Sequence, residues 1–209
     1  MKNHLELINK LKSSILKNQL PGEKAHLQMA PYRISSIEAK KRNKNPRLSA
    51  VGIHLFLNSK NKLSTILIQR TNKLPTHKGQ IAFPGGKKDK TDINLLETAK
   101  RESKEELGIE NGTLIGELTP VYIPVSNFDV SPFVFFHKNH PKIVQCKDEV
   151  EHYFSIEIES ILNPKNIDRF DYKENGKVII KGVPCFNIAG KIIWGATALI
   201  LNELKHILS

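Results

Sequence analysis

Cysteine is scarce in this chain: Cys146 and Cys185 are the only two among 209 residues, and they stand far apart with no CxxC partner. That excludes a disulfide framework or a cysteine-ligated zinc as the organising element of the fold, and it suggests a reduced, cytoplasmic location. Long apolar runs are missing too. No stretch approaches the ~18 residues that a membrane-spanning helix needs, and the opening Met1-Lys2-Asn3-His4-Leu5-Glu6 is too polar for a signal peptide, so no membrane role is expected. Arginine is sparse, being confined to Arg33, Arg42, Arg47, Arg70, Arg101 and Arg169. The formal net charge of +11 is therefore mostly lysine. Specific phosphate recognition favours arginine forks, and no basic stripe interleaved with base-stacking aromatics is found. A nucleic-acid partner is disfavoured on both counts. The charge fits a solvated lysine-rich surface, or a multiply phosphorylated small molecule as partner. The densest basic run, Ala39-Lys40-Lys41-Arg42-Asn43-Lys44-Asn45-Pro46-Arg47, reads as a flexible connector.

What is present divides into a short N-terminal part and one larger domain. Leu5, Ile8, Leu11 and Ile15 recur at helical spacing, which predicts an amphipathic helix over about residues 3–18, ended by Pro21-Gly22. That helix would cover the domain core or a second copy in a homodimer. Residues 1–47 are expected to be this helix and the basic connector, with irregular chain between them, and residues 48–209 a single α/β domain. Strands are expected over Ser49–Leu57, Thr65–Gln69, Gln80–Phe83, Leu114–Leu118, Val121–Ile123, Ser131–Phe136, Tyr153–Ile158, Val178–Lys181 and Val183–Ile188. A closing helix is expected from Trp194 to Leu208. Phe128, Phe133, Phe135 and Phe136 are expected to build core. This order packs naturally as a mixed sheet between helices.

The chemistry concentrates in Arg101-Glu102-Ser103-Lys104-Glu105-Glu106-Leu107-Gly108-Ile109. Asp92 reads as the N-cap of a helix beginning near Ile93. Leu95, Leu96, Ala99, Ser103 and Leu107 would form its apolar stripe, with the glutamates mostly off it and Gly108 as the stop. Positions three and four apart are neighbours on a helix, so Glu102 meets both Glu105 and Glu106. Such crowding of like charges is destabilising unless a hard cation is bound, and carboxylate oxygens select Mg²⁺ or Mn²⁺ over zinc. Upstream, Phe83-Pro84-Gly85-Gly86 supplies a tight turn that exposes backbone beside the acidic helix.

Gly86 to Ile109 resembles the Nudix box: a glycine, an acidic residue, then Arg-Glu-x-x-Glu-Glu-x-Gly-hydrophobic. It departs where Asp92 stands in place of the usual glutamate, and in the eight residues rather than seven between Asp92 and Arg101. Leu67 to Gly86, with Arg70, His77-Lys78-Gly79-Gln80 and Phe83-Pro84-Gly85-Gly86, is similar to the signature of coenzyme A pyrophosphatases within that family. The resemblance implies an α/β/α sandwich and metal-dependent hydrolysis of the diphosphate of coenzyme A or its thioesters. Products would be adenosine 3′,5′-bisphosphate and 4′-phosphopantetheine. The alternatives are another nucleoside diphosphate derivative, such as ADP-ribose or a dinucleotide, or a catalytically idle nucleic-acid-binding module. By the same resemblance Glu102, Glu105 and Glu106 hold the metal, and Glu102, Glu105 and Arg101 serve catalysis. Arg70, His77, Lys78, Gly85 and Gly86 are expected to contact substrate. Asp92 and Glu149 are secondary candidates; Glu149 reads first as a solvated loop carboxylate. His137-Lys138-Asn139-His140 reads as a charged loop without a metal.

Overall fold

The computed structural model describes residues 4–31, 33–43, 45–71, 79–174 and 176–209. In chain order the elements are α1 (His4–Leu16), α2 (Glu23–Gln28), α3 (Ser36–Arg42), β1 (Arg47–Leu57), β2 (Leu63–Arg70), β3 (Ile81–Ala82), β4 (Gly85–Lys87) and α4 (Leu95–Leu107). Then come β5 (Thr113–Glu117), β6 (Val121–Ile123), β7 (Phe128–Phe136), β8 (Val150–Glu157), α5 (Ile158–Leu162), β9 (Ile167–Glu174), β10 (Lys177–Ile188), β11 (Lys191–Ile193) and α6 (Gly195–Leu208). The larger sheet runs β3-β2-β1-β7-β5, with β4 on β1, β6 on β7 and β8 on β2. Among the described residues only β1 and β7 pair in parallel, which makes the sheet mixed. A second sheet, β11-β10-β9, is antiparallel.

β1 shows why the sheet lies between helices. Its odd-numbered residues Ile53 and Leu55 join Leu7, Ile8 and Leu11 of α1 and Leu199, Leu201 and Leu204 of α6 in one buried cluster. Its even-numbered residues face the other way: Ala50 packs with Ala99 of α4, and Phe56 packs with Leu107. A strand covered on both faces needs apolar or small residues throughout, not alternation with polar ones. Small residues also set how closely α4 approaches. A Cβ on Gly52 would sit 2.6 Å from the Ser103 Oγ and 2.6 Å from the His54 Nε2, so the helix rests directly on the strand. The expected mixed α/β fold is what the chain adopts. Among the described residues no helix is long and apolar enough to cross a membrane.

Several local expectations are corrected. The basic run does not form a connector throughout: Ser36–Arg42 is helical, and the Ser35 Oγ accepts from the Glu38 amide at 3.0 Å. Ser35-x-x-Glu38 is a capping signature, and buried Ala39 docks the helix. Glu23–Gln28, expected as irregular, is also helical. The two segments expected at Val178–Lys181 and Val183–Ile188 are one strand, β10, interrupted by bulges. Its partners β9 and β11, and the short helix α5, had no expectation at all. Phe133 and Phe135 are buried, whereas Phe128 lies under the Arg47 guanidinium, 4.1 Å from its ring centre. Both cysteines are free thiols.

Candidate active site

The site begins where β4 lies against β1, with Gly86 opposite Ala50 and Gly85 opposite Val51. Neither position has room for a side chain. A Cβ on Gly85 would come within 2.4 Å of the Ala50 carbonyl oxygen, and one on Gly86 within 2.5 Å of the Glu102 carboxyl carbon. Glycine thus lets backbone lie flat on strand and carboxylate alike. The Gly85 amide donates to the Glu106 Oε2 at 2.8 Å.

α4 starts two residues later than the spacing suggests. Its N-cap is Asn94, whose side chain accepts from the Glu97 amide at 2.9 Å, and not Asp92. The Asp92 carboxylate is buried and organises the preceding loop. It accepts from the Asp89 amide at 2.8 Å, from the Thr98 hydroxyl at 2.9 Å, and from the Arg101 Nε at 2.9 Å. The Arg101 guanidinium, joined by the Asp89 amide and the Thr98 hydroxyl, holds Asp92 well below the ordinary carboxylate range against the opposing effect of burial. In return Asp92 raises the basicity of Arg101. Asp92 thus meets Arg101, and does not join the clustered glutamates. The remaining donors of Arg101 reach Glu102 at 2.9 Å, Glu105 at 2.7 Å and the Lys87 carbonyl at 3.1 Å. One guanidinium therefore ties the loop to two of the three glutamates.

Glu106 does not lie off the buried stripe as expected: it is fully buried. Burial pushes its carboxyl up to about 8, against the opposing pull of the Gly85 amide and of Arg70. The Arg70 NH1 stands 3.3 Å away. Glu102 is also raised, chiefly by burial, with Arg101 opposing. The carboxylates that converge are Glu102, Glu106 and Glu149, each offering an oxygen within 4.8 Å of the others. Glu105 is not brought into this group; it turns outward to Arg101, with half its side chain exposed.

Glu149 comes from the segment before β8. The Glu149 carbonyl accepts from the Thr71 amide at 3.0 Å, and the Cys146 amide donates to the Glu106 carbonyl at 2.9 Å. The Val144 amide donates to the Leu107 carbonyl at 2.8 Å. The segment is thus laced to the last turn of α4, which carries Glu149 to the other two carboxylates. Nothing in the local sequence signals this, because the ties are backbone bonds to residues far away in the chain. His77 and Lys78 lie outside the described residues. His137, read as part of a charged loop, is buried, and its Nε2 lies 2.9 Å from the His54 Nδ1. His54 in turn meets the Ser103 hydroxyl at 2.8 Å on the sheet side of α4, and burial lowers its imidazole to about 3.

Three clustered carboxylates, one of them fully buried, fit a hard divalent cation. The donors are all oxygen, and the charge that burial penalises in Glu106 is the charge such an ion would compensate.

Comparison with known proteins identifies the family. The family model for the NUDIX domain matches residues 46–174. An uncharacterised Nudix hydrolase, NudL, from Pectobacterium atrosepticum is 33% identical over 146 residues, covering 66% of this chain and 72% of that protein. The NudL of Yersinia enterocolitica is 33% identical over 143 residues, covering 68% and 72%. A solved structure of a MutT/nudix family protein from Enterococcus faecalis covers 87% of this chain and 71% of its own, with a TM-score of 0.54 at 13% identity. That likeness concerns the fold.

Proposed function

This chain belongs to the Nudix family of hydrolases, and from that membership we propose that it cleaves the diphosphate of a nucleoside derivative, with coenzyme A and its thioesters as substrates. The observation that carries the reading is the convergence of Glu102, Glu106 and Glu149 within 4.8 Å. These residues would hold Mg²⁺ or Mn²⁺, which when bound lowers the pKa of a water and offsets charge on the phosphates. The chain's own part is to fix the ligands. Gly85 orients Glu106 through its amide, Gly86 leaves the space that Glu102 fills, and Arg101 holds Glu102 by one oxygen. Glu105 is proposed to act through Arg101: its carboxylate occupies NH1, which fixes the guanidinium so that NH2 stays on Glu102. Arg70, part-exposed beside Glu106, is proposed to take a phosphate oxygen of the substrate by a charge-assisted hydrogen bond.

The choice of coenzyme A rests on the run from Leu67 to Gly86, because substrate preference in a fold shared by many hydrolases lives in such segments. The test is a hydrolysis screen with Mg²⁺ or Mn²⁺ across coenzyme A, ADP-ribose, NADH and diadenosine polyphosphates. Metal-dependent cleavage with the highest kcat/KM for coenzyme A is expected. Faster cleavage of ADP-ribose would overturn the substrate, and no cleavage of any of these would overturn the nucleoside diphosphate reading itself.

A further inference from the structure

The chain has a single tryptophan, Trp194, and the chemistry described above makes no use of it. It follows buried Ile193 at the end of β11 and stands at the N-cap of α6. Two rings of β9 touch it. Tyr172 lies 4.7 Å away at 39°, and Phe170 lies 5.5 Å away at 65°. All three side chains are half-buried. Among the described residues no ring lies parallel to the indole. The Trp194 Nε1–H and the Tyr172 hydroxyl carry no hydrogen bond to the described residues and are not enclosed, so both polar tips are open to a ligand. Next to the indole, Gly195 adopts a φ of +63°, and a Cβ built there would meet nothing within 4 Å. The cluster therefore borders open space.

Its position in the fold links it to the carboxylates by short steps. One helical turn beyond Trp194, the Thr197 hydroxyl donates to the Ile81 carbonyl at 3.1 Å. Ile81 pairs with Gln69 on β2, and the Arg70 amide donates to the Gln80 carbonyl at 3.0 Å. The Arg70 side chain then reaches Glu106. The aromatic cluster and the diphosphate-cleaving residues thus flank the same short strand, β3.

We propose that Trp194, flanked by Tyr172, is the stacking platform for the nucleobase of the substrate, a purine. The inference rests on the nucleoside diphosphate reading and assigns the base end of that molecule. A bicyclic indole offers a bicyclic base the largest stacking area of any side chain, and base–aromatic stacking contributes regardless of which base is present. The free indole N–H and phenol hydroxyl supply a donor and a donor–acceptor for the ring nitrogens and amino group at the base edge.

Because the tryptophan is unique, its emission reports on the site directly and without turnover. ADP titrated into the wild-type protein with Mg²⁺ should quench it saturably, and inorganic pyrophosphate should not. Trp194→Ala should raise KM roughly tenfold or more for the adenine-containing substrate identified by the screen. Its kcat should stay within about threefold, as for an interaction made equally in ground and transition states. Trp194→Phe, which keeps a ring, should remain near wild type in both. ADP that inhibits hydrolysis without quenching binds away from Trp194 and overturns the proposal, as does ADP that neither inhibits nor quenches. An unchanged KM in Trp194→Ala overturns it as well. Failure of the hydrolysis screen is a separate result: it removes the nucleoside diphosphate reading, and the titration still reports whether a base stacks here.

Discussion

With its carboxyl pushed up to about 8 from an ordinary 4.5, Glu106 binds a proton in the folded, metal-free protein over a range where the unfolded chain has lost it. Stability falls with pH wherever the folded state holds more protons. The metal-free protein should therefore be most stable below about pH 4.5 as far as this group is concerned, and lose that contribution as pH rises through about 8. Thermal unfolding in chelator should show a midpoint that declines between those values. Glu106→Gln should flatten the decline while slowing hydrolysis at least ~100-fold, since an amide is a poor ligand for a hard cation. A variant as fast as wild type at saturating Mg²⁺ would remove Glu106 from the site. The neighbouring glutamates separate by geometry. Glu149→Gln should cost more than ~10-fold in kcat/KM and raise the Mg²⁺ concentration needed for half activity. Glu105→Gln, outside the cluster, should leave that concentration nearly unchanged. The opposite order in a metal titration would restore Glu105 to the ligand set.

At the scale of the element, what could be read from the chain was what local spacing encodes. The run from Leu95 to Leu107 has the right period, and Gly108 closes it in the left-handed conformation at φ +64°. Even so, its first turn was misplaced. Asp92 and Asn94 are both good caps, and the choice fell to Asn94 because Arg101 and Thr98 occupy the aspartate. The burial of Glu106 was not readable either. A glutamate beside Leu107 looks solvated until Gly85 and Arg70 are brought to it by the pairing of β4 with β1 and the run of β2. Glu149, a secondary candidate that reads first as a solvated loop carboxylate, joins Glu102 and Glu106 through contacts of the same kind at longer range. β9 escaped notice because Ile167–Glu174 alternates apolar and charged residues only weakly and is mostly exposed.

At the scale of the whole molecule, one buried carboxylate ties the start of α2 to α6 and to the segment before β6. Glu203 of α6 is fully buried. It accepts from the Gly22 amide at 3.2 Å, the Thr119 amide at 3.2 Å and the Thr119 hydroxyl at 2.6 Å, and it lies 3.2 Å from the His26 Nε2. Replacing it by alanine strands several buried donors, each costing about 1–3 kcal/mol. Glu203→Ala should therefore lower the unfolding free energy in urea by at least about 2 kcal/mol. Glu203→Gln, which keeps an acceptor oxygen, should lose less. Equal stability of Glu203→Ala and wild type would mean that α2 contributes little to holding the chain together.

The lacing of the segment before β8 to the end of α4 has a consequence for chain topology. Under the proposed assignment, an ion shared by Glu106 and Glu149 is a cross-link, and the loop it closes contains β5, β6 and β7. The unfolded chain would have to close a loop of that size to bring the same ligands together, so the ion binds the folded form and adds stability by mass action. The same three carboxylates that prepare the site for chemistry would then clamp the half of the sheet formed by β5, β6 and β7, so that metal supply sets how firmly the molecule is folded as well as how fast it works.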